Sequence, residues 1–435
     1  MKNNNYTVGL YTLGCKVSLY ETEAVAEAFA DAGFEIRSFD EVCDVYVINT
    51  CTVTAESDAK SRKYIRRAIK KNPSAAVIVM GCYSQRSPDE VAAIEGVGAV
   101  IGTADKLLAV NAALKFINER EKTLSVGSLD GAEFEKMCIR RAPRTRGYVK
   151  IEDGCECKCT YCAISAARGP VRSKRPEDVI AEVEALYRGG TREIVLTGIE
   201  TGSYGADLGD TSLAELICEL DARHSCERIR LGSMAPELLS ERFISRVGGL
   251  GILVPHFHVS MQSGSDNVLR NMKRRYNRRM ALDNIARIRE YMPRVMLTAD
   301  LMVGFPGESE EDFLDTVEFV KEARLLDAHV FAYSRRSGTP AAEFKDQIPE
   351  SVKRERSAAL IREVAAVRDS VLDGVCASGE TLPTVFEERC GEYFAGHSDS
   401  YIEVRVVSDR DIKGELLPVR PMRHEGGVVY GCIVD

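Results

Sequence analysis

Residues 153–162 read Asp-Gly-Cys-Glu-Cys-Lys-Cys-Thr-Tyr-Cys, and this run restricts the chain more than any other stretch of it. Cys155, Cys159 and Cys162 stand at Cys-x3-Cys-x2-Cys spacing. Three thiolates can hold three irons of a 4Fe–4S cube and leave the fourth open to a chelating ligand. A zinc knuckle is the alternative, and it needs a fourth Cys or His close by. Cys157 offers itself, but four ligands would be cramped in the eight residues from Cys155 to Cys162.

The pattern around this loop predicts an α/β chain. Strands are expected at 148–152, 193–197, 228–232, 256–259, 296–302 and 328–331, with helices such as 176–188, 277–291 and 309–323 between them. Six strands in strict alternation with helices predict a (β/α)6 partial TIM barrel, whose site lies at the strand C-termini. Upstream, strands at 6–13, 45–49, 76–80 and 99–101 alternate with helices at 21–32, 55–71, 88–94 and 106–118. That rhythm predicts a doubly wound parallel sheet. Short strands at 382–387, 401–407, 414–419 and 427–434 predict a small antiparallel β-barrel at the end. The expected domains are therefore 1–128, 135–373 and 374–435, with a linker-like stretch from 129 to 146.

Fourteen cysteines without a secretion signal point to metal ligation or redox chemistry rather than disulfides. Cys15, Cys51 and Cys82 each follow an expected strand, 36 and 31 residues apart, or about one βα unit. A doubly wound sheet gathers ligands beyond the carboxyl ends of its strands, so the fold itself would bring these thiols to one rim. Three thiolates suit an iron–sulfur cluster with an open iron better than structural zinc, which normally takes four ligands. Cys43 precedes a strand, on the opposite edge, and Cys218, Cys226, Cys376 and Cys390 share no motif.

The formal net charge of −8 excludes a uniformly basic nucleic-acid binder. Basic residues nevertheless cluster: Lys60, Arg62, Lys63, Arg66, Arg67, Lys70 and Lys71; Lys273, Arg274, Arg275, Arg278 and Arg279; Arg140, Arg141, Arg144 and Arg146. Three such clusters in an acidic chain favour a polyanionic partner. The N-terminus has no apolar leader, and no run approaches the roughly 18 apolar residues that span a bilayer. A cytoplasmic location is expected.

The cysteine loop, with an aromatic residue before its last cysteine, resembles the radical S-adenosylmethionine (SAM) superfamily. Thr197-Gly198-Ile199-Glu200, Ser260-Met261-Gln262-Ser263-Gly264 and Val303-Gly304-Phe305-Pro306-Gly307-Glu308 resemble that superfamily's strand-end segments. With the upstream cysteines and the terminal barrel, the whole chain resembles the methylthiotransferases. Leu13-Gly14-Cys15-Lys16-Val17, Asn49-Thr50-Cys51-Thr52-Val53-Thr54 and Gly81-Cys82-Tyr83-Ser84-Gln85 resemble the branch acting on threonylcarbamoyladenosine. Ser18, Cys157, Ser165 and Glu200 depart from the family pattern.

The resemblance implies two 4Fe–4S clusters, on Cys15, Cys51 and Cys82 and on Cys155, Cys159 and Cys162, with SAM contacts from Tyr161, Thr197, Gly198, Glu200, Ser260, Gln262 and Val303. Beyond the cluster ligands it implies no catalytic residue. The reaction it implies is methylthiolation of carbon 2 of threonylcarbamoyladenosine at position 37 of tRNA, consuming two SAM. The terminal barrel resembles a TRAM domain, but from Val375 onward it has eleven acidic and six basic residues. Arg62, Lys63, Arg66, Arg67, Lys273, Arg274 and Arg275 are therefore the RNA-binding candidates. The expected partners are a tRNA anticodon stem-loop and an electron donor of flavodoxin or ferredoxin type, around a monomer. Other readings are the same chemistry on isopentenyladenosine or a ribosomal-protein aspartate, a two-cluster electron-transfer protein, and a zinc-stabilised RNA-binding module.

Overall fold

A computed structural model describes residues 6–434 and divides the chain into two compact units. The first comprises Met1–Ile139, Lys150–Lys174 and Ser334–Ala342. Its elements in chain order are β1 (Thr7–Thr12), α1 (Lys16–Asp31), β2 (Glu35–Arg37), β3 (Val45–Thr50), α2 (Ala55–Lys71), β4 (Ala76–Gly81), α3 (Cys82–Arg86), α4 (Pro88–Ala92), β5 (Val97–Ile101), α5 (Leu108–Glu119) and β6 (Thr123–Ser125). The strands form one sheet in the order β2-β1-β3-β4-β5-β6, parallel throughout. Every residue of β3 and of β4 is buried, the continuous pattern of strands covered on both faces. Register pairs Thr12 with Asn49 and Asn49 with Met80, so β1, β3 and β4 end on one line. The edge strands β2 and β6 escaped the sequence reading because three residues carry no readable alternation.

The second unit comprises Arg140–Val149, Arg175–Tyr333 and Glu343–Asp435. The next elements along the chain are β7 (Arg146–Lys150), β8 (Glu152–Asp153), α6 (Ile164–Arg168), β9 (Arg172–Ser173), α7 (Pro176–Arg188), β10 (Glu193–Thr197), α8 (Leu213–Ala222), β11 (Arg228–Leu231), α9 (Glu241–Val247), β12 (His256–Gln262), α10 (Asp266–Asn271), α11 (Arg278–Tyr291), β13 (Met296–Val303), α12 (Glu310–Glu322), β14 (Asp327–Ala332) and α13 (Glu350–Ser378). Sheets β11-β10-β7 and β12-β13-β14 are joined by bridges Ile229–Leu253 and Met234–Val259, which gives the six-stranded partial barrel. The antiparallel pair β8–β9 lies in the first unit.

After α13 the chain forms β15 (Leu382–Cys390), β16 (Tyr393–Ser398), β17 (Glu403–Val407), β18 (Leu416–Glu425) and β19 (Val428–Ile433), closed as β15-β16-β17-β19-β18. It has five strands where the sequence reading found four, and β17 and β19 pair in parallel. Gly396 hides β16: glycine reads as a strand breaker, yet a Cβ there would meet Val385 O at 2.1 Å, so close strand packing requires it. Among the described residues no helix is long and apolar enough to cross a membrane.

In the second unit Glu193 lies fully buried on β10, with Arg230 Nε at 2.7 Å and Arg228 also bonded to it. Burial alone would raise the Glu193 pKa, but Arg230, then Arg228, bring it from 4.5 down to about 2. Arg230 also donates to the carbonyls of Ser398 and Asp399 at 3.0 Å each. Arg230→Ala, which strands part of a buried ion pair, is expected to cost about 3–5 kcal/mol in denaturant unfolding at pH 7. Because the Glu193 pKa is depressed by folding, its contribution is complete above pH 4.5 and is lost as pH falls through about 2. The gap between Arg230→Ala and wild type should therefore narrow in titrations run at pH 3.

Candidate functional site

All six cysteines of the two triads lie in the first unit. Cys15 immediately precedes α1, Cys51 follows β3 and Cys82 opens α3, so each sits two or three residues beyond the shared register line. Cys51 and Cys82 are buried and Cys15 is exposed. Burial raises the Cys51 thiol and pushes Cys82 up to about 11, and the charge of Cys15 adds to both. A Cβ added at Gly14, the residue before Cys15, would lie 3.5 Å from Cys51 Sγ. Gly81 has φ 102°, and a Cβ there would meet Asn49 Oδ1 at 2.4 Å, so the strand end must be glycine to turn directly into Cys82. Asn49 is fixed from its other end, donating to Ser18 O at 2.9 Å.

The second triad occupies the loop after β8. Cys155 N–H donates to Gly169 O at 3.0 Å, Cys162 N–H to Cys159 O at 3.1 Å, and Ile164 N–H to Cys162 Sγ at 3.3 Å. The loop is held from outside as well, since Ala341 N–H donates to Thr160 O at 2.9 Å. Gly154 has φ 93°, and an added Cβ would lie 1.9 Å from Pro170 O. Gly154→Ala combines a left-handed backbone with a backbone overlap, and should cost about 3 kcal/mol or more in unfolding free energy. Thermal denaturation against wild type, with iron content of the soluble fraction, checks this.

An ion network that the sequence reading missed packs against Cys82. Arg168, the last residue of α6, is fully buried; its Nε donates to Cys82 Sγ at 3.1 Å, and Nη1 and Nη2 grip Glu21 at 2.5 and 3.2 Å. Glu21 also meets Lys150 at 2.8 Å and Lys106 at 3.1 Å, and Asp153 meets Lys150 at 2.6 Å and Arg172 at 3.5 Å. Burial would raise Glu21, but Arg168, Lys106 and Lys150 together hold it well below the ordinary carboxylate range. On the other side of the rim Arg336 donates to Thr52 Oγ1, next to Cys51, and to Asp58, both at 2.7 Å.

This donor set fits iron–sulfur clusters. Each group supplies three thiols, and each already receives a nitrogen donor at a sulfur: Arg168 Nε at Cys82 and the Ile164 amide at Cys162.

Of the SAM candidates, Tyr161 belongs to the first unit and Thr197, Gly198, Glu200, Ser260, Gln262 and Val303 to the second. Thr197 and Val303 end β10 and β13, Gln262 ends β12, and Ser260 lies two residues before it. Gln262 has φ 67°, and its buried Oε1 has no hydrogen-bond partner among the described residues, an orphan that an incoming polar ligand would satisfy. Glu200 accepts the Ala235 amide at 3.2 Å. Alternation along the barrel strands also brings together residues the sequence reading did not single out. Thr298 Oγ1 bonds His258 Nδ1 at 2.8 Å and His256 Nε2 at 3.0 Å, while Asp300 lies 3.2 Å from His258 Nε2 and 3.3 Å from His329 Nδ1. Burial would raise Asp300, but the hydrogen bonds from both imidazoles keep it ionised.

The RNA candidates separate. Arg62 is tied to Tyr83 OH and Glu90, both at 3.0 Å, and Arg67 to Asp40, whereas Lys63 and Arg66 are exposed on α2 without an acidic partner among the described residues. Lys273 and Arg275 are exposed; Arg274 is half-buried and donates to Ser260 O at 3.2 Å and Tyr276 OH at 3.0 Å, so it braces the end of β12.

The Radical SAM superfamily profile matches residues 149–320, and the profile described as Uncharacterized protein family UPF0004 matches residues 7–102. The chain is 40% identical to the threonylcarbamoyladenosine tRNA methylthiotransferase MtaB of Bacillus subtilis (strain 168), covering 96% of this chain and 94% of that one. It is 33% identical to MtaB of Thermotoga maritima, over 99% and 97% of the two chains. The tRNA-2-methylthio-N(6)-dimethylallyladenosine synthase of Acetivibrio thermocellus is 32% identical, over 94% and 87%. Among solved structures, the radical SAM methyltransferase TsrM from Kitasatospora setae has a TM-score of 0.58 at 16% identity, over 78% and 75%, a likeness of fold. With 40% and 33% identity over nearly the full length of both relatives named MtaB, the chain belongs to the radical SAM tRNA methylthiotransferase family.

Proposed function

We propose that this enzyme attaches a methylthio group to carbon 2 of threonylcarbamoyladenosine at position 37 of tRNA, with one 4Fe–4S cluster on each cysteine triad. The observation that carries the reading is the placement of both triads within one compact unit, where Arg168, six residues beyond Cys162, donates to Cys82 Sγ. Cys155, Cys159 and Cys162 would hold the cluster that binds SAM, and Cys15, Cys51 and Cys82 the second. Loaded on these residues, the first cluster would supply reductive cleavage of SAM and the second would supply the sulfur-transfer chemistry.

This chain's residues supply position and dielectric. Gly81 and Gly154 let backbone turn tightly at each triad, and buried ion pairs replace water around Cys82. The orphaned Oε1 of Gln262 supports a SAM contact at the end of β12. Lys63 and Arg66 on α2, with Lys273 and Arg275, are suited to tRNA phosphates, and the splayed adenosine of a loop is the kind of base such proteins read. The proposal includes a flavodoxin- or ferredoxin-type electron donor, a cytoplasmic setting and a monomer.

The choice of nucleoside rests on the relatives named MtaB and on the residues flanking Cys15, Cys51 and Cys82. A second reading, isopentenyladenosine, is favoured by the 32% identity to the Acetivibrio enzyme. Expression of the chain in a bacterial strain lacking methylthiotransferases for both nucleosides separates them. Mass spectrometry of digested tRNA should show threonylcarbamoyladenosine converted and isopentenyladenosine unchanged; the reverse would establish the second reading.

A further inference from the structure

We propose that Arg168 is a positioning residue for the cluster on Cys15, Cys51 and Cys82, whose guanidinium donates to Cys82 Sγ and favours the reduced form of that cluster. The proposal rests on the assignment of a cluster to those three cysteines. Arg168 is wholly buried and lies six residues beyond Cys162, so the segment that forms one cysteine loop also delivers a cation to the other set. Its Nε points at Cys82 Sγ, 3.1 Å away, while both terminal nitrogens are clamped on Glu21. The planar fork is thereby held in a single orientation, which a lysine could not reproduce.

The charges around it are unequal. Lys106, Lys150, Arg168 and Arg172 face Glu21, Asp153 and Glu135, and burial shifts Glu135 toward its neutral form. Of these cations Arg168 is the one that donates to a cysteine sulfur, at Cys82. Adding an electron to a cluster increases its negative charge, and a buried hydrogen-bond donor at a ligating sulfur stabilises that added charge; hydrogen bonds to cluster sulfurs are an established lever on reduction potential.

The test uses the full chain with Cys155, Cys159 and Cys162 replaced by alanine, so that only the Cys15/Cys51/Cys82 cluster is reconstituted. Its midpoint potential is read by electron paramagnetic resonance during a redox titration. Arg168→Gln should lower the potential so that, at fixed applied potential, the reduced fraction falls roughly tenfold relative to the oxidised, equivalent to 59 mV for one electron. Arg168→Lys, which keeps the charge and the pairing with Glu21, should shift it in the same direction by less. Glu21→Gln, which leaves the guanidinium less neutralised, should shift it the opposite way. A purely structural Arg168 would lower cluster occupancy in the variants and leave the potential of the clusters that form unchanged, and that result overturns the proposal. If the alanine background with Arg168 intact binds no iron, the cluster assignment itself fails and takes the proposal with it.

Discussion

Replacing Cys159 by alanine is expected to abolish 5′-deoxyadenosine production from SAM and to remove about four irons per chain. Cys159 is the buried member of its triad, 7% exposed, and its carbonyl accepts the Cys162 amide that closes the loop. Loss of its thiol leaves two ligands of the motif, and no structural change is needed to explain the defect, because the backbone bonds at Cys155, Thr160 and Cys162 do not pass through the missing sulfur. Cys157 is the one other thiol in the loop. Anaerobic reconstitution with dithionite, followed by chromatography of the nucleoside product, reads the effect directly. Production above background would mean that Cys157 substitutes, or that Cys159 is not a ligand.

Replacing Cys51 by alanine should give the complementary phenotype. Cleavage of SAM should continue at a rate near wild type, methylthiolated nucleoside should fall to background, and iron should again fall by about four. Cys51 sits at the end of β3, and the residue after it, Thr52, is bonded to Arg336. The rim therefore keeps its backbone frame when the sulfur is removed, and the two triads can be emptied one at a time. A Cys51→Ala enzyme that still methylthiolates tRNA would sink the division of labour between the triads.

Much of the architecture was legible because the buried parallel strands carry unbroken apolar runs: Val45-Tyr46-Val47-Ile48 and Ala76-Val77-Ile78-Val79-Met80 announce themselves. The rim positions of Cys51 and Cys82 were legible for the same reason, since each follows such a run, whereas Cys155, Cys159 and Cys162 stood out by spacing alone. What stayed hidden depends on pairing across the chain. Glu21 and Arg168 are 147 positions apart, and nothing in either neighbourhood marks them as partners. His258, Asp300 and His329 come from three separate strands and meet because register sets Asp300 opposite His329 and Thr298 opposite His258. Arg274 read as part of a basic patch, because charge in a sequence does not reveal that a guanidinium turns inward to a carbonyl. Tyr401 was read as the start of a strand; it has φ 68° and stacks on His256 and His397, with the strand beginning at Glu403.

The central claim is that one compact unit holds two independent cubanes. It is tested most directly by iron and acid-labile sulfide counts on anaerobically reconstituted protein. Wild type should contain about eight of each per chain, and alanine replacement of either triad as a set should leave about four. A wild-type count near four, lost entirely on replacing Cys155, Cys159 and Cys162 and unchanged on replacing Cys15, Cys51 and Cys82, would contradict the account.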